Sequence, residues 1–370
     1  MDIRIVQIVL DVFDHYGEAI RFDVERFEEA LNDEAPELVD ECYLVSLGIK
    51  SGVFDAFIFE NDIDVKGYVY YIVEKLKISE KEALFMVSVL HGVVKEMGYY
   101  FEIPQLEYLL QQAYERQDWN HLFVVGKTYF DGFGVHQDYE KAFQIFSYLY
   151  SLGNTKGAYY LGYMYEHGYG VEQDIEKALM FYHHDDSLCE FRLGMLYMLG
   201  RYVKVDDDLA YQHFAKSQET DAYLYQGLLL ERRRDYTGAF DAYYQGAQLF
   251  QRECLYKTGM FLRIGLGVEM NLKEAYRCFE YAYFLFHGDA TYQLAMMFLD
   301  GIVVKKDEKR ALSYLQRAVS LYNKDACLVL ARFYELGQYV EKNHQKSLYY
   351  YHKASELISG KGVGEKNEDL

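Results

Sequence analysis

The sequence predicts an all-α protein: a solenoid of about seven helical hairpins, preceded by a small N-terminal helical bundle. Three observations carry this. Small anchor residues recur at Gly126, Gly162, Gly194, Gly227, Gly259, Ala295 and Ala331, in steps of 36, 32, 33, 32, 36 and 36 residues. The same residue types follow nearly every anchor at fixed offsets. Only 2 prolines occur in 370 residues, so little interrupts helix propagation. A period of this length is one helical hairpin, which buries its apolar face only by stacking on its neighbours.

Residues 1–104 stand outside the register and read as a bundle of about five helices. Asp2 to Tyr16, Asp23 to Leu31 and Pro36 to Val53 place apolar residues at helical spacing, with Phe27, Leu31, Leu38, Cys42, Val45 and Leu47 on the buried faces. Tyr68 to Leu76 adds another helix, and Ser79 to Glu82 resembles a capping box leading into Ala83 to Met97. Residues 105–119 form a connecting or capping helix. The solenoid occupies 120–357, and the polar residues 358–370 form a disordered tail.

Within each repeat, a bulky residue stands three after the anchor: Tyr129, Tyr165, Tyr197, Leu230, Leu262, Phe298 and Tyr334. It lies one turn further along helix A. Six after the anchor come Gly132, Gly168, Gly200, Gly265, Gly301 and Gly337, which end helix A in the left-handed conformation. Valines follow at Val135, Val171, Val203, Val268, Val304 and Val340. Asp138, Asp174, Asp206, Asn271, Asp307 and Asn343 then cap helix B. Sixteen after the anchor, Ala142, Ala178, Ala210, Ala275, Ala311 and Ser347 let the two helices approach closely, and Phe146, Tyr182, Phe214 and Phe279 follow one turn later. The fourth repeat lacks the glycine–valine turn, and its Ala239 and Tyr243 arrive four residues early.

This pattern resembles the Sel-one-like repeat family, relatives of the tetratricopeptide repeats with a longer, glycine-marked turn between helices. The resemblance rests on GKTYFDGFGVHQDYEKA (Gly126 to Ala142) and GYMYEHGYGVEQDIEKA (Gly162 to Ala178), and it spans roughly residues 120–357. The fourth repeat instead reads as a plain tetratricopeptide unit. The resemblance implies a right-handed α-solenoid of Sel-one-like or tetratricopeptide-like hairpins that serves as a protein-interaction scaffold or adaptor.

Charge narrows the partner. A formal net charge of −20 disfavours nucleic acid or an anionic membrane, because binding phosphates takes clustered Lys and Arg. A protein or peptide segment fits better, and self-association stays open. The N-terminus lacks the basic start and cleavage site of a signal peptide, and no apolar run is long enough to span a bilayer, so a cytoplasmic protein is expected. Cys42, Cys189, Cys254, Cys278 and Cys327 follow no fixed step and are expected as buried reduced thiols.

Candidate chemistry is sparse. His183, His184, Asp185 and Asp186 look like metal ligands, but neighbouring helical residues point about 100° apart and the i, i+4 pairing is missing. Asp206, Asp207 and Asp208 suit a helix N-terminus better than a calcium site. Glu231 to Asp235 is a charged turn, either solvated or a docking patch. The turns Gly132-Phe133-Gly134 and Gly168-Tyr169-Gly170 lack the strand and the Gly-Lys-Ser/Thr ending of a phosphate loop. No metal, cofactor or catalytic residue is assigned.

A partner is expected in the concave groove lined by helix A. Counting from the anchors, this selects Phe123, Lys127, Phe130, Tyr159, Tyr163, Glu166, His167, Met195, Met198, Tyr256, Met260, Arg263, Tyr292, Met296, Leu328 and Arg332. Aromatic rings and thioethers suit an adaptable apolar surface, while the same residues also suit packing between repeats. The competing reading is a regulatory subunit or effector with an enzymatic activity in the N-terminal bundle. There His15, Cys42 and His91 have no organising spacing.

Overall fold

The computed structural model describes residues 106–117, 119–132, 137–184 and 186–358, together with 39–50 and shorter stretches between 8 and 93. A helix, α1 (Val39–Lys50), occupies part of the stretch expected as helical between 36 and 53. Helical residues are also described within each of the other expected bundle helices, and Phe27, Leu31 and Val45 are buried as expected, whereas the remainder of 1–104, His15, His91, the side chain of Cys42, Val135, Asp185 and the tail from 359 lie outside the described residues. The chain forms two compact units, residues 94–234 and residues 1–93 with 235–370.

In the first unit, α2 (Leu106–Arg116) precedes four A helices, α3 (Trp119–Asp131), α5 (Ala158–His167), α7 (Ser187–Leu199) and α9 (Ala222–Arg232). The B helices between them are α4 (Tyr139–Ser151), α6 (Ile175–Tyr182) and α8 (Asp207–Lys216). In the second unit, α10 (Tyr236–Gln248), α12 (Leu272–Phe284), α14 (Glu308–Ser320) and α16 (His344–Ile358) are B helices. They alternate with the A helices α11 (Arg252–Ile264), α13 (Gly288–Asp300) and α15 (Lys324–Leu336). No strand occurs among the described residues. Helix α2, at the place expected for a connecting helix, packs Ala113 and Tyr114 into the first hairpin's core, where Tyr114 meets Tyr148 edge-on at 5.0 Å.

Local chemistry sets the hairpins. Gly168, Gly200, Gly265, Gly301 and Gly337 end their A helices with φ between 68 and 73°. This is the left-handed region, where a Cβ crowds the following carbonyl oxygen and glycine escapes the cost. Six residues later the capping side chains accept the N–H of the third helical residue, as Asp138 does from Lys141 (2.9 Å) and Asp307 from Arg310 (3.0 Å). The backbone N–H of each capping residue also returns to the bulky residue of helix A. Asp138 donates to the Tyr129 carbonyl, Asp174 to Tyr165, Asp206 to Tyr197, Asn271 to Leu262, Asp307 to Phe298 and Asn343 to Tyr334, all at 2.8–3.1 Å. The turn is therefore closed by the backbone at both ends, and its sequence can vary between them.

Side chains then fix how the helices meet. Ala142, Ala178, Ala210, Ala275, Ala311 and Ser347 are all buried. Nineteen residues after the anchor, a ring of helix B stacks on the bulky ring of helix A. These pairs are Phe181 on Tyr165 (5.7 Å between centroids), His213 on Tyr197 (5.4 Å), Tyr314 on Phe298 (5.4 Å) and Tyr350 on Tyr334 (5.8 Å), each within 14° of parallel. Such pairs contribute roughly 0.5–1.5 kcal/mol beyond their area. A cation covers several of these rings: Lys177 over Tyr165, Arg310 over Phe298 and Lys346 over Tyr334. The fourth repeat keeps its expected departures. Asp235 caps α10 through the Gly238 N–H, and Ala239 and Tyr243 are fully buried.

Candidate functional site

In the unit of residues 94–234, helices α3 and α5 bring most of their expected contact residues together. Phe123 packs on Phe146 and Tyr160, and Phe130 meets Tyr139, Tyr160 and Tyr163 at 5.2–5.9 Å. Tyr163 stacks on His167 at 4.0 Å, which stacks on Tyr169 at 5.3 Å, which lies flat on Tyr139 at 4.5 Å. The result is a partly exposed seam of rings running from helix A into the following turn, with Lys127 half-buried on α3. Tyr159 also belongs to it, and burial pushes its hydroxyl up to about 12.

Beneath the seam lies a polar knot. Glu166 is 1% exposed and takes two hydrogen bonds from the Arg192 guanidinium, at 3.0 and 2.5 Å, and one from the Tyr182 hydroxyl at 2.7 Å. Arg192 also rests on the Tyr163 ring at 5.6 Å. Glu166 therefore ties one A helix to the next and supports the seam from below. Met195 and Met198 are also turned inward, packing with Phe214 and Leu229 in a core cluster at 5% and 9% exposure.

In the unit containing residues 235–370, Tyr256 stacks on His287 at 4.7 Å, and Arg263 donates to the Gln293 side chain. Arg263 and Gln293 occupy the offsets that Glu166 and Arg192 occupy in the other unit, so the same tie between A helices recurs with different chemistry. Met260, Tyr292 and Met296 are half-buried, whereas Leu328 and Arg332 are exposed. His287 caps α13 by accepting the Ala290 N–H at Nδ1 (3.2 Å), which leaves the ring proton on Nε2 facing Glu253 at 2.9 Å. This contact is the first cause holding the Glu253 carboxyl below its usual range. Sequence reasoning overlooked Arg192, Glu253, His287 and Gln293. The signal was an offset from one anchor paired with an offset from the next.

The remaining candidates resolve into structural roles. His184 meets the Tyr150 hydroxyl at 2.8 Å, Asp186 caps α7, and no trio of His, Cys, Asp or Glu among the described residues is placed to hold a metal. Asp206 caps α8, while Asp207 and Asp208 pair with Arg232 and Arg233 of the charged turn. Cys189, Cys254, Cys278 and Cys327 are buried free thiols. Among the described residues no helix is long and apolar enough to cross a membrane.

The family model for the Sel1 repeat matches residues 122–154, 155–183, 187–217, 252–283, 288–323 and 324–359, more than half of the chain. The chain belongs to the Sel1 repeat family. The unmatched stretch between 217 and 252 holds the divergent fourth repeat. Among solved Sel1 repeat structures, the chain is similar to a protective antigen of uropathogenic Escherichia coli displaying an SLR fold. They share 19% identity and a TM-score of 0.61, over 80% of this chain and 66% of that one. It is also similar to a Sel1 repeat protein from Oxalobacter formigenes, with 19% identity and a TM-score of 0.53, over 83% of this chain and 94% of that one. These likenesses show a shared fold. No curated protein matches the sequence. Sel1 repeat proteins generally serve as scaffolds for protein interactions and are typically not enzymes.

Proposed function

We propose that this Sel1 repeat protein is a non-catalytic adaptor that holds a protein or peptide segment on the A-helix faces of its repeats. The observation that carries the reading is the seam of Phe123, Phe130, Tyr159, Tyr163 and His167. These rings remain partly exposed above a buried core of their own hairpins. Rings and thioethers held on rigid helices bury apolar area at little entropic cost. In the other unit, Tyr256, Met260, Arg263, Tyr292, Met296, Leu328 and Arg332 supply the corresponding surface. Burial removes Glu166, Met195 and Met198 from direct contact. Buried reduced thiols suit a cytoplasmic location, and the net charge of −20 favours a protein partner over nucleic acid or membrane.

The test is quantitative affinity capture with three forms of the full chain: intact, Tyr163→Ala with His167→Ala, and Leu328→Ala with Arg332→Ala. A protein held by the intact chain and lost by a variant of unchanged helicity is the expected result. Equal recovery by all three would exclude the A-helix faces.

A further inference from the structure

The stacked ring pair that joins helix A to helix B fails in one repeat of the second unit. In the repeat anchored at Gly259, the positions of the two rings hold Leu262 and Cys278, and the position of the covering cation holds Glu274. The change extends to the preceding B helix. At two other junctions the helix-B ring also meets an aromatic residue of the previous B helix edge-on, Phe181 with Tyr150 and Tyr314 with Tyr283, both at 5.1 Å. Here the register places Ala247 opposite Cys278. Two small residues thus stand where those junctions carry two rings.

The space they leave is open. A solvent-open cleft of about 200 Å³ lies between α10, α11 and α12, with Ala247, Phe250, Leu255 and Cys278 on its apolar wall and Glu274 and Arg277 among its polar groups. A volume of that order accommodates one benzene-sized ring, roughly 150 Å³ sufficing in an enclosed cavity, and the polar rim here suits a ring that carries a hydroxyl. The Cys278 thiol is pushed up to about 12, by burial first, so it serves as wall rather than nucleophile. Glu274 is held by Arg277 at 3.1 Å and has a second oxygen to accept a donor.

We propose that this cleft is a receptor site for a single aromatic ring bearing a hydroxyl, a phenol, which takes the place of the missing ring and donates to Glu274. The site is separate from the A-helix faces and does not depend on them. A free phenolic compound and a tyrosine side chain of a bound protein present the same chemistry.

The experiment follows the methyl resonances of the full chain during titration with p-cresol. Saturable shifts of Ala247 and Leu255 in the millimolar range are expected, with Ala142 and Ala311 unmoved. 4-Methylcyclohexanol, of similar size without a ring face, should bind at least about tenfold more weakly. Cys278→Tyr restores the ring and should raise the unfolding temperature while weakening p-cresol at least about tenfold. Ala247→Leu narrows the cleft from the opposite wall and gives a second test if Cys278→Tyr does not fold. N-acetyl-tyrosinamide binding more tightly than p-cresol points to a protein side chain, and weaker binding to a free phenol. No saturable shift at Ala247 and Leu255, equal binding of the two alcohols, or unchanged binding in a folded filled variant would each overturn the proposal.

Discussion

The ring of Phe214 lies against the backbone of Gly194, so close that a β-carbon there would stand 2.7 Å from the ring. Gly162 meets Tyr182 and Gly259 meets Phe279 in the same way, both at 2.6 Å. Where the anchor is Ala295, its place in the register opposes Leu315 in a shared core cluster. At these four anchors size and ring are one joint choice. Gly194→Ala should lose about 1–3 kcal/mol in urea unfolding, the usual cost of overpacking. Phe214→Leu should cost less in that background than in the native chain. Additive losses would show that the two positions are independent.

The second residue of the turn after helix A has positive φ in five repeats, filled by Gly170, Tyr202, Gly267, Val303 and Tyr339. Val303, with φ of 66°, is the most strained because it is β-branched. Left-handed backbone costs roughly 1–2 kcal/mol for such residues, and glycine recovers part of that against its greater unfolded entropy. Val303→Gly should raise the unfolding temperature. Gly267→Val should lower it sharply, since a β-carbon there would collide with the Tyr236 backbone. A lower melting point for Val303→Gly would contradict the strain.

Removing one member of the buried Glu166–Arg192 pair strands the other. Glu166→Ala should destabilise the protein by about 3–5 kcal/mol, whereas Glu166→Leu combined with Arg192→Met should lie much nearer the native value. Chemical denaturation of the single and double variants distinguishes this from a pair that is merely solvated.

Acid weakens the Glu253–His287 contact in a defined direction. The folded state holds the Glu253 carboxyl below the usual 4.5, through the His287 hydrogen bond first. The resulting stability is fully present above the unfolded value and is lost as pH falls through the folded one. The stability gap between the native chain and Glu253→Gln should therefore shrink as pH drops below about 4.5. A gap constant from neutral pH to below that range would remove Glu253 from acid unfolding.

The sequence by itself determined the hairpins and their punctuation. A left-handed glycine, a capping acid and a small residue at a helix crossing act within one repeat, so Gly168, Asp174 and Ala178 could be placed from their spacing alone. The A-helix face was legible only as a set of offsets. Tertiary structure decided that Met195 and Met198 point inward while Leu328 and Arg332 stay exposed, because burial depends on the neighbouring repeat's side chains. It also decided that Glu166 and Arg192 meet and that Ala247 and Cys278 face one cavity. These pairs lie 26 and 31 residues apart, and only the packing of one repeat on the next brings such distant positions to a common contact.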